Sequence, residues 1–168
     1  GDLSVTGDYS STTAGTSNVR LGVNTGNSIA SGGNFNVCVG DEAGTAITTG
    51  DNNTAVGYAA LATEDAHGNN TAIGWSTLKN LDAGAEGYNT AVGSDSGRNV
   101  NTGVNNTLVG FESGHDIQDG TGNTFLGANA GDKTDDGANN VAIGYDALGA
   151  NCGNENTAVG ASALSSST

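Results

Sequence analysis

NNTAVGYAAL (52–61) and, 17 residues on, NNTAIGWSTL (69–78) are two copies of one unit. The core Asn–(Thr/Val)–x–(Val/Ile/Leu)–Gly recurs nine times, opening at Asn18, Asn36, Asn53, Asn70, Asn89, Asn106, Asn123, Asn140 and Asn156. It closes each time on a glycine four residues later, and these glycines, from Gly22 to Gly160, stand 16 to 19 residues apart, most often 17. Three residues past each glycine comes a small residue, such as Ala43, Ala60 or Thr77, and directly after it Gly or Leu, as in Gly44, Leu61 and Leu78. A polar loop completes the unit and absorbs all the variation in length.

A unit of about 17 residues is too short for a helix pair or a propeller blade. It suits one coil of a β-solenoid, because its five-residue core alternates with the two-residue period of a strand. The sequence therefore predicts an all-β fold, a parallel β-roll of nine coils over residues 18–164. Residues 1–17 read as a lead-in strand and linker, and 165–168 as a polar tail. Coils stacked at the usual strand spacing of about 4.8 Å make a rod of roughly 40 Å. Equivalent residues then lie above one another, so Asn and Gly form ladders. The Asn ladder is expected to exchange amide hydrogen bonds between coils.

The strand is apolar on both faces. The Thr/Val and Val/Ile/Leu positions share one face, which we assign to the core of the coil. The x position lies on the other, occupied by Cys38, Ala55, Ala72, Ala91, Leu108, Phe125, Ala142 and Ala158 after Arg20 in the first copy. A slim coil has little room for a core of its own, and a solvent-facing strand should be polar on one side. The x row is therefore expected to be an interchain face, in a homo-oligomer most simply built of three chains. Exposed end coils would also permit end-to-end stacking.

Composition narrows the function. The chain has 168 residues with 29 Gly, no Pro and no Met, and its 18 acidic against 4 basic residues give a net charge of −14. That sign argues against nucleic acid as a partner, since phosphate contacts need Lys and Arg. No apolar run approaches the ~20 residues of a membrane span, so no membrane insertion is expected. Gly follows no three-residue period, against collagen. Residue 1 is Gly1, which reads as a processed chain or a piece of a longer one.

Segments 52–61, 69–78 and GNTFLGANAG (122–131) resemble the repeats of trimeric fibre proteins of phage tails and bacterial surfaces. The Asn–x–x–(Ile/Val)–Gly core is similar to that of YadA-type trimeric autotransporter heads, though the period here is longer. The resemblance covers about residues 18–164 and implies a trimeric parallel β-roll, located extracellularly on a virion fibre or a bacterial cell surface.

Chemistry-bearing residues are sparse. His67 and His115 fall in loops about three coils apart, or ~14 Å, too far to share a metal. Cys38 and Cys152 are at least six coils apart, roughly 30 Å, which excludes a disulfide within the chain. No nucleophile–base arrangement recurs, so no enzymatic activity is expected. Acidic residues cluster in loops, among them Glu64 and Asp65, Asp82 and Glu86, and Asp132, Asp135 and Asp136. They suit a solvated rim. No cofactor is expected; if Ca²⁺ binds through carboxylate oxygens, Asp132, Asp135 and Asp136 are the candidates. Tyr58, Trp75, Phe111 and Tyr145 each follow a repeat glycine. Tyr58 and Trp75 should stack, and the four are candidate platforms for a cell-surface glycan, or fillers between chains.

The expected function is a structural and adhesive fibre segment, a stiff rod for host or surface attachment. Three alternatives stand beside it. One is an ice-binding solenoid using Thr54, Thr71, Thr90, Thr107, Thr124 and Thr157. Another is a self-stacking extracellular filament subunit. The third is a polysaccharide-cleaving fibre, against which the scatter of the carboxylates speaks.

Overall fold

The computed structural model describes residues 15–166. The expected lead-in strand and the last two residues of the tail lie outside these. Nine three-residue strands follow one another: β1 (Val19–Leu21), β2 (Val37–Val39), β3 (Thr54–Val56), β4 (Thr71–Ile73), β5 (Thr90–Val92), β6 (Thr107–Val109), β7 (Thr124–Leu126), β8 (Val141–Ile143) and β9 (Thr157–Val159). They form a single parallel sheet in sequence order. Equivalent repeat positions are paired throughout, for example Ala55 with Ala72 and Val56 with Ile73. The chain is thus a β-solenoid, as the period predicts. Eight steps of about 4.8 Å give the strand stack a length of about 38 Å.

Backbone sterics explain the motif. The glycine after each strand has φ between 120° and 143°, a region closed to residues with a Cβ. At Gly57 a Cβ would also lie 2.6 Å from the carbonyl carbon of Gly74 in the next coil, so these glycines stack backbone on backbone. Two further corners are left-handed: the second residue after each glycine, as at Ala59 (φ 52°), and the fourth, as at Leu61 (φ 51°). The residue before each ladder asparagine is left-handed too. This explains the NN doublets, because Asn52, Asn69, Asn105 and Asn139 (φ 57–62°) tolerate that region better than most residues.

The ladder asparagines from Asn18 to Asn140 are buried and bridge coils. Asn36 Oδ1 accepts the backbone N–H of Asn53 at 2.9 Å. Its Nδ2 donates to the carbonyl of Gly50 at 2.8 Å. The same pair of bonds recurs at Asn106, from Asn123 N–H at 2.9 Å and to Gly120 O at 2.8 Å. The ladder therefore works mainly from side chain to backbone. Amide-to-amide bonds are confined to a few longer links, such as Asn70 to Asn53 at 3.3 Å. Buried backbone groups that would otherwise lack partners are satisfied in this way.

The two faces of the strand are reversed relative to expectation. Cys38, Ala55, Ala72, Ala91, Leu108, Phe125 and Ala142 are 0 % exposed and Ala158 2 %, all within a single chain. They are the core of the coil and not an interchain face. The Thr/Val and Val/Ile/Leu rows point outward. The row of mostly small side chains packs inside the coil, and the Thr, Val, Ile and Leu rows cover its outer side. Arg20 begins the inner row by donating its Nε–H to the carbonyl of Thr25 at 2.6 Å.

The rest of the interior comes from the far side of the coil. Ile29, Ile47, Leu81, Val100 and Ile117, eleven residues past the ladder asparagines, are all buried. So are Leu61, Leu78 and Leu148 at the left-handed corner. Where the corner is Gly, a neighbour fills its space: a Cβ at Gly131 would meet the Phe125 ring, and one at Gly97 would lie 2.7 Å from Leu108 and 2.8 Å from Leu78. Buried hydroxyls among the small residues bond to the next coil, Thr77 Oγ1 to Gly93 O at 2.6 Å and Ser96 Oγ to Leu108 O at 3.0 Å.

Candidate functional site

Four surface features remain once the core is accounted for. The first is the outer sheet face. Its two rows hold only Thr, Val, Ile and Leu on all nine strands. Large apolar side chains stand open on it, among them Leu21, Ile73, Leu126, Ile143 and Val159. Five consecutive threonines, Thr54 to Thr124 on β3 to β7, form a ladder beside them.

The second is the aromatic column beside this face. Trp75 is 48 % exposed, and Tyr58, Phe111 and Tyr145 are open to a similar degree. Tyr58 and Trp75 stack with ring centroids 6.2 Å apart and planes 17° apart, as their adjacent coils predict. The Arg98 guanidinium sits 5.7 Å from the Trp75 ring, a cation–π contact, and also pairs with Asp95 at 3.3 Å. Phe111 and Tyr145 are not brought into this stack, because Ser94 and Ala128 occupy the same column between them.

The third feature is a cluster of Glu64, Asp65, His67 and Asp82, which offer ligand atoms within 4.8 Å of one another. The sequence-level candidates Asp132, Asp135 and Asp136 do not form such a group; among the described residues this cluster alone does. Glu64 is no part of a solvated rim. It occupies the core position taken by Ile47 and Leu81 in the coils on either side, and it is fully buried. Its Oε1 accepts the backbone N–H of His67 and its Oε2 that of Ala83, both at 3.2 Å. His67 Nδ1 lies 3.4 Å from Oε1. Burial pushes the Glu64 carboxyl above its usual range, against the pull of those two N–H groups and of His67. The signal was present in the sequence as a position, eleven residues past Asn53, and became readable only when the inward row was known. Asp132 is also raised by burial, helped by the nearby Asp146, Asp116 and Glu112 and opposed by Lys133.

The fourth is a groove of about 520 Å³ across the loops of the later coils, lined by Asn80, Asn99, Asn101, Asp116, Gln118, Lys133, Asp135 and Asn151. A second hollow of about 440 Å³ continues it past Asp135 and Asn151 toward Asp136 and Asn154. Of these residues the sequence alone singles out Asp135 and Asp136, as Ca²⁺ candidates; the rest fall in the polar loops of the repeat.

Cys38 and Cys152 form no disulfide and both are buried. Burial pushes the Cys38 thiol up to about 11, with Arg20 opposing, so it is no nucleophile at neutral pH. Among the described residues no helix is long and apolar enough to cross a membrane. Compared with known proteins, the chain matches no protein-family model, no curated sequence and no solved structure.

Proposed function

We propose that this chain is a structural segment of an extracellular attachment fibre, a stiff rod whose outer sheet face packs against further copies of itself, three being the expected number. The observation that carries this reading is the absence of charge from that face. The chain has 18 acidic and 4 basic residues, yet none stands in the two outward rows of the nine strands. Copies bearing −14 each repel one another, and a charge-free apolar strip is where they meet at least cost. A strip about 38 Å long and two side-chain rows wide, widened by the aromatic column, covers roughly 500 Å². Apolar patches of that size on a single chain are often functional. Tyr58 and Trp75 then fill the groove between neighbouring chains.

The test is native mass by light scattering on the 16.4 kDa chain. A particle of three chains that becomes one chain in Val92→Asp, with the far-UV circular dichroism unchanged, supports the reading. A monomeric parent chain overturns it.

A second reading follows from the same face. The outward threonine ladder, one threonine per coil from β3 to β7 at strand spacing, also suits ice binding. Thermal hysteresis and ice shaping by the parent chain, lost in Thr90→Tyr, would favour it. Their absence at millimolar concentration would remove it.

A further inference from the structure

The loops of the later coils contain a second, shorter alternation. Leu81, Val100, Ile117 and Thr134 point into the core. The residues on either side of each, ten and twelve past the ladder asparagine, flank a buried position, and all but Asp82 line the groove. One column is Asn80, Asn99, Asp116 and Lys133; the other is Asn101, Gln118 and Asp135, continued by Asn151. The equivalent positions of the first three coils are different in kind: Ser28, Ala46 and Thr63 in one column, Ala30, Thr48 and Asp65 in the other. Long amides and carboxylates are thus gathered on one part of the rod, where repeat chemistry does not demand them.

Hydrogen bonds run along parts of both columns and fix how six of these groups point. Asn80 Nδ2 donates to Asn99 Oδ1 at 3.0 Å. Asn99 Nδ2 donates to Asp116 Oδ1 at 2.9 Å. Gln118 Nε2 donates to Asp135, whose own N–H reaches Asn151 Oδ1 at 3.4 Å. A carboxamide has two N–H groups and two oxygen lone pairs. Each relay bond uses one, so the linked residues keep an oriented donor or acceptor for the groove, while the side chains of Asn101 and Lys133 stand outside the relays.

Resting on the attachment reading above, we propose that this groove is a binding site for a neutral linear glycan, laid along the rod axis between the two columns. Its volume lies within the range of ordinary ligand sites, but every residue that lines it is of a polar type, unlike the apolar walls that take hydrophobic ligands. Its charges, Asp116 and Asp135 against Lys133, leave it negative in a chain that is already −14. Phosphate, sulfate and uronate groups are repelled. Alternating donors and acceptors without positive charge match the hydroxyls of an uncharged sugar chain. The adjoining hollow beyond Asp135 and Asn151 extends the path, which suits a polymer better than a monosaccharide.

The experiment uses the assembled protein on an array of neutral linear oligosaccharides (glucans, galactans and mannans) printed beside sulfated and uronic counterparts. The expected result is binding to at least one neutral chain and to none of the anionic ones. Asn101→Ala and Gln118→Ala should each weaken it tenfold or more in calorimetry. Asn101 makes no side-chain hydrogen bond in the structure, so its replacement leaves the fold intact. Ser28→Ala, at the exposed equivalent position of the first coil and outside the groove, should leave binding unchanged. Failure to bind any neutral chain, preference for the anionic set, or binding indifferent to both groove variants overturns the proposal. Because native mass is read on the same samples, an assembled protein that does not bind defeats the groove alone. A monomer that binds defeats the fibre reading and leaves the groove standing.

Discussion

Gly74 and Gly160 hold the same place in the repeat, with φ of 143° and 123°, but different neighbours. A Cβ on Gly74 would lie 2.3 Å from the carbonyl oxygen of Gly93, whereas one on Gly160 would meet nothing within 4 Å. Gly160→Ala should therefore express backbone strain alone, about 1–2 kcal/mol. Gly74→Ala adds an overlap with rigid backbone and should cost about 3 kcal/mol or more. Urea unfolding midpoints compare the two; equal losses would mean that the close approach of coils contributes nothing. Glu64 supplies a second test at this scale. Its folded pKa is raised above the unfolded value, so its contribution favours folding most below the unfolded value and is lost as pH rises through the folded one. In Glu64→Gln this dependence disappears. The variant should gain on the parent chain as pH is raised from about 4 to 7, the interval above the carboxylate's ordinary pKa. A stability difference flat across that range would contradict the assigned shift.

Within a coil, the inner strand position and the left-handed corner share one volume. Small inner residues go with Leu at the corner, as in Ala55 with Leu61, Ala72 with Leu78 and Ala142 with Leu148; large ones go with Gly, as in Leu108 with Gly114 and Phe125 with Gly131. Ala91 with Gly97 departs from the rule because Leu78 and Leu108 reach in from the coils on either side. Phe125→Ala alone should cost about 3–5 kcal/mol, and Gly131→Leu alone should clash with the Phe125 ring. Combined, they recreate the pairing of β3 and β4, and the double variant should regain at least 2 kcal/mol over the sum of the single losses. Additive losses in a thermal or urea series would show that the two sites do not share space. The same coupling explains what the sequence disclosed. Period, strand position and the stacking of Tyr58 on Trp75 follow from repetition alone. Which strand face points inward does not, because both are apolar, and alternation distinguishes two rows without orienting them. Without the inner row, Glu64 reads as a rim residue, and the columns around Val100 and Ile117 read as part of the polar loops.

Across the whole molecule, charge and apolar area are segregated, and this sets how assembly must respond to salt. Acidic side chains such as Asp116, Asp119 and Asp136 ring the loops, while the outer rows of β1 to β9 hold none. Bringing such rods together therefore gains apolar burial and works against a like-charge field that acts at a distance. Screening shortens that field from about 30 Å at 0.01 M salt to about 10 Å at 0.1 M, but leaves the apolar contact intact. Association through the outer face should accordingly tighten as sodium chloride rises over that interval, by tenfold or more in sedimentation equilibrium. An interface held by ion pairs would weaken over the same range. Val92→Asp should abolish assembly at low salt and remain impaired at high salt, since a carboxylate buried in the strip lacks a partner whatever the ionic strength. Assembly that weakened with salt, or that survived Val92→Asp, would move the interface from the sheet face to the charged loops.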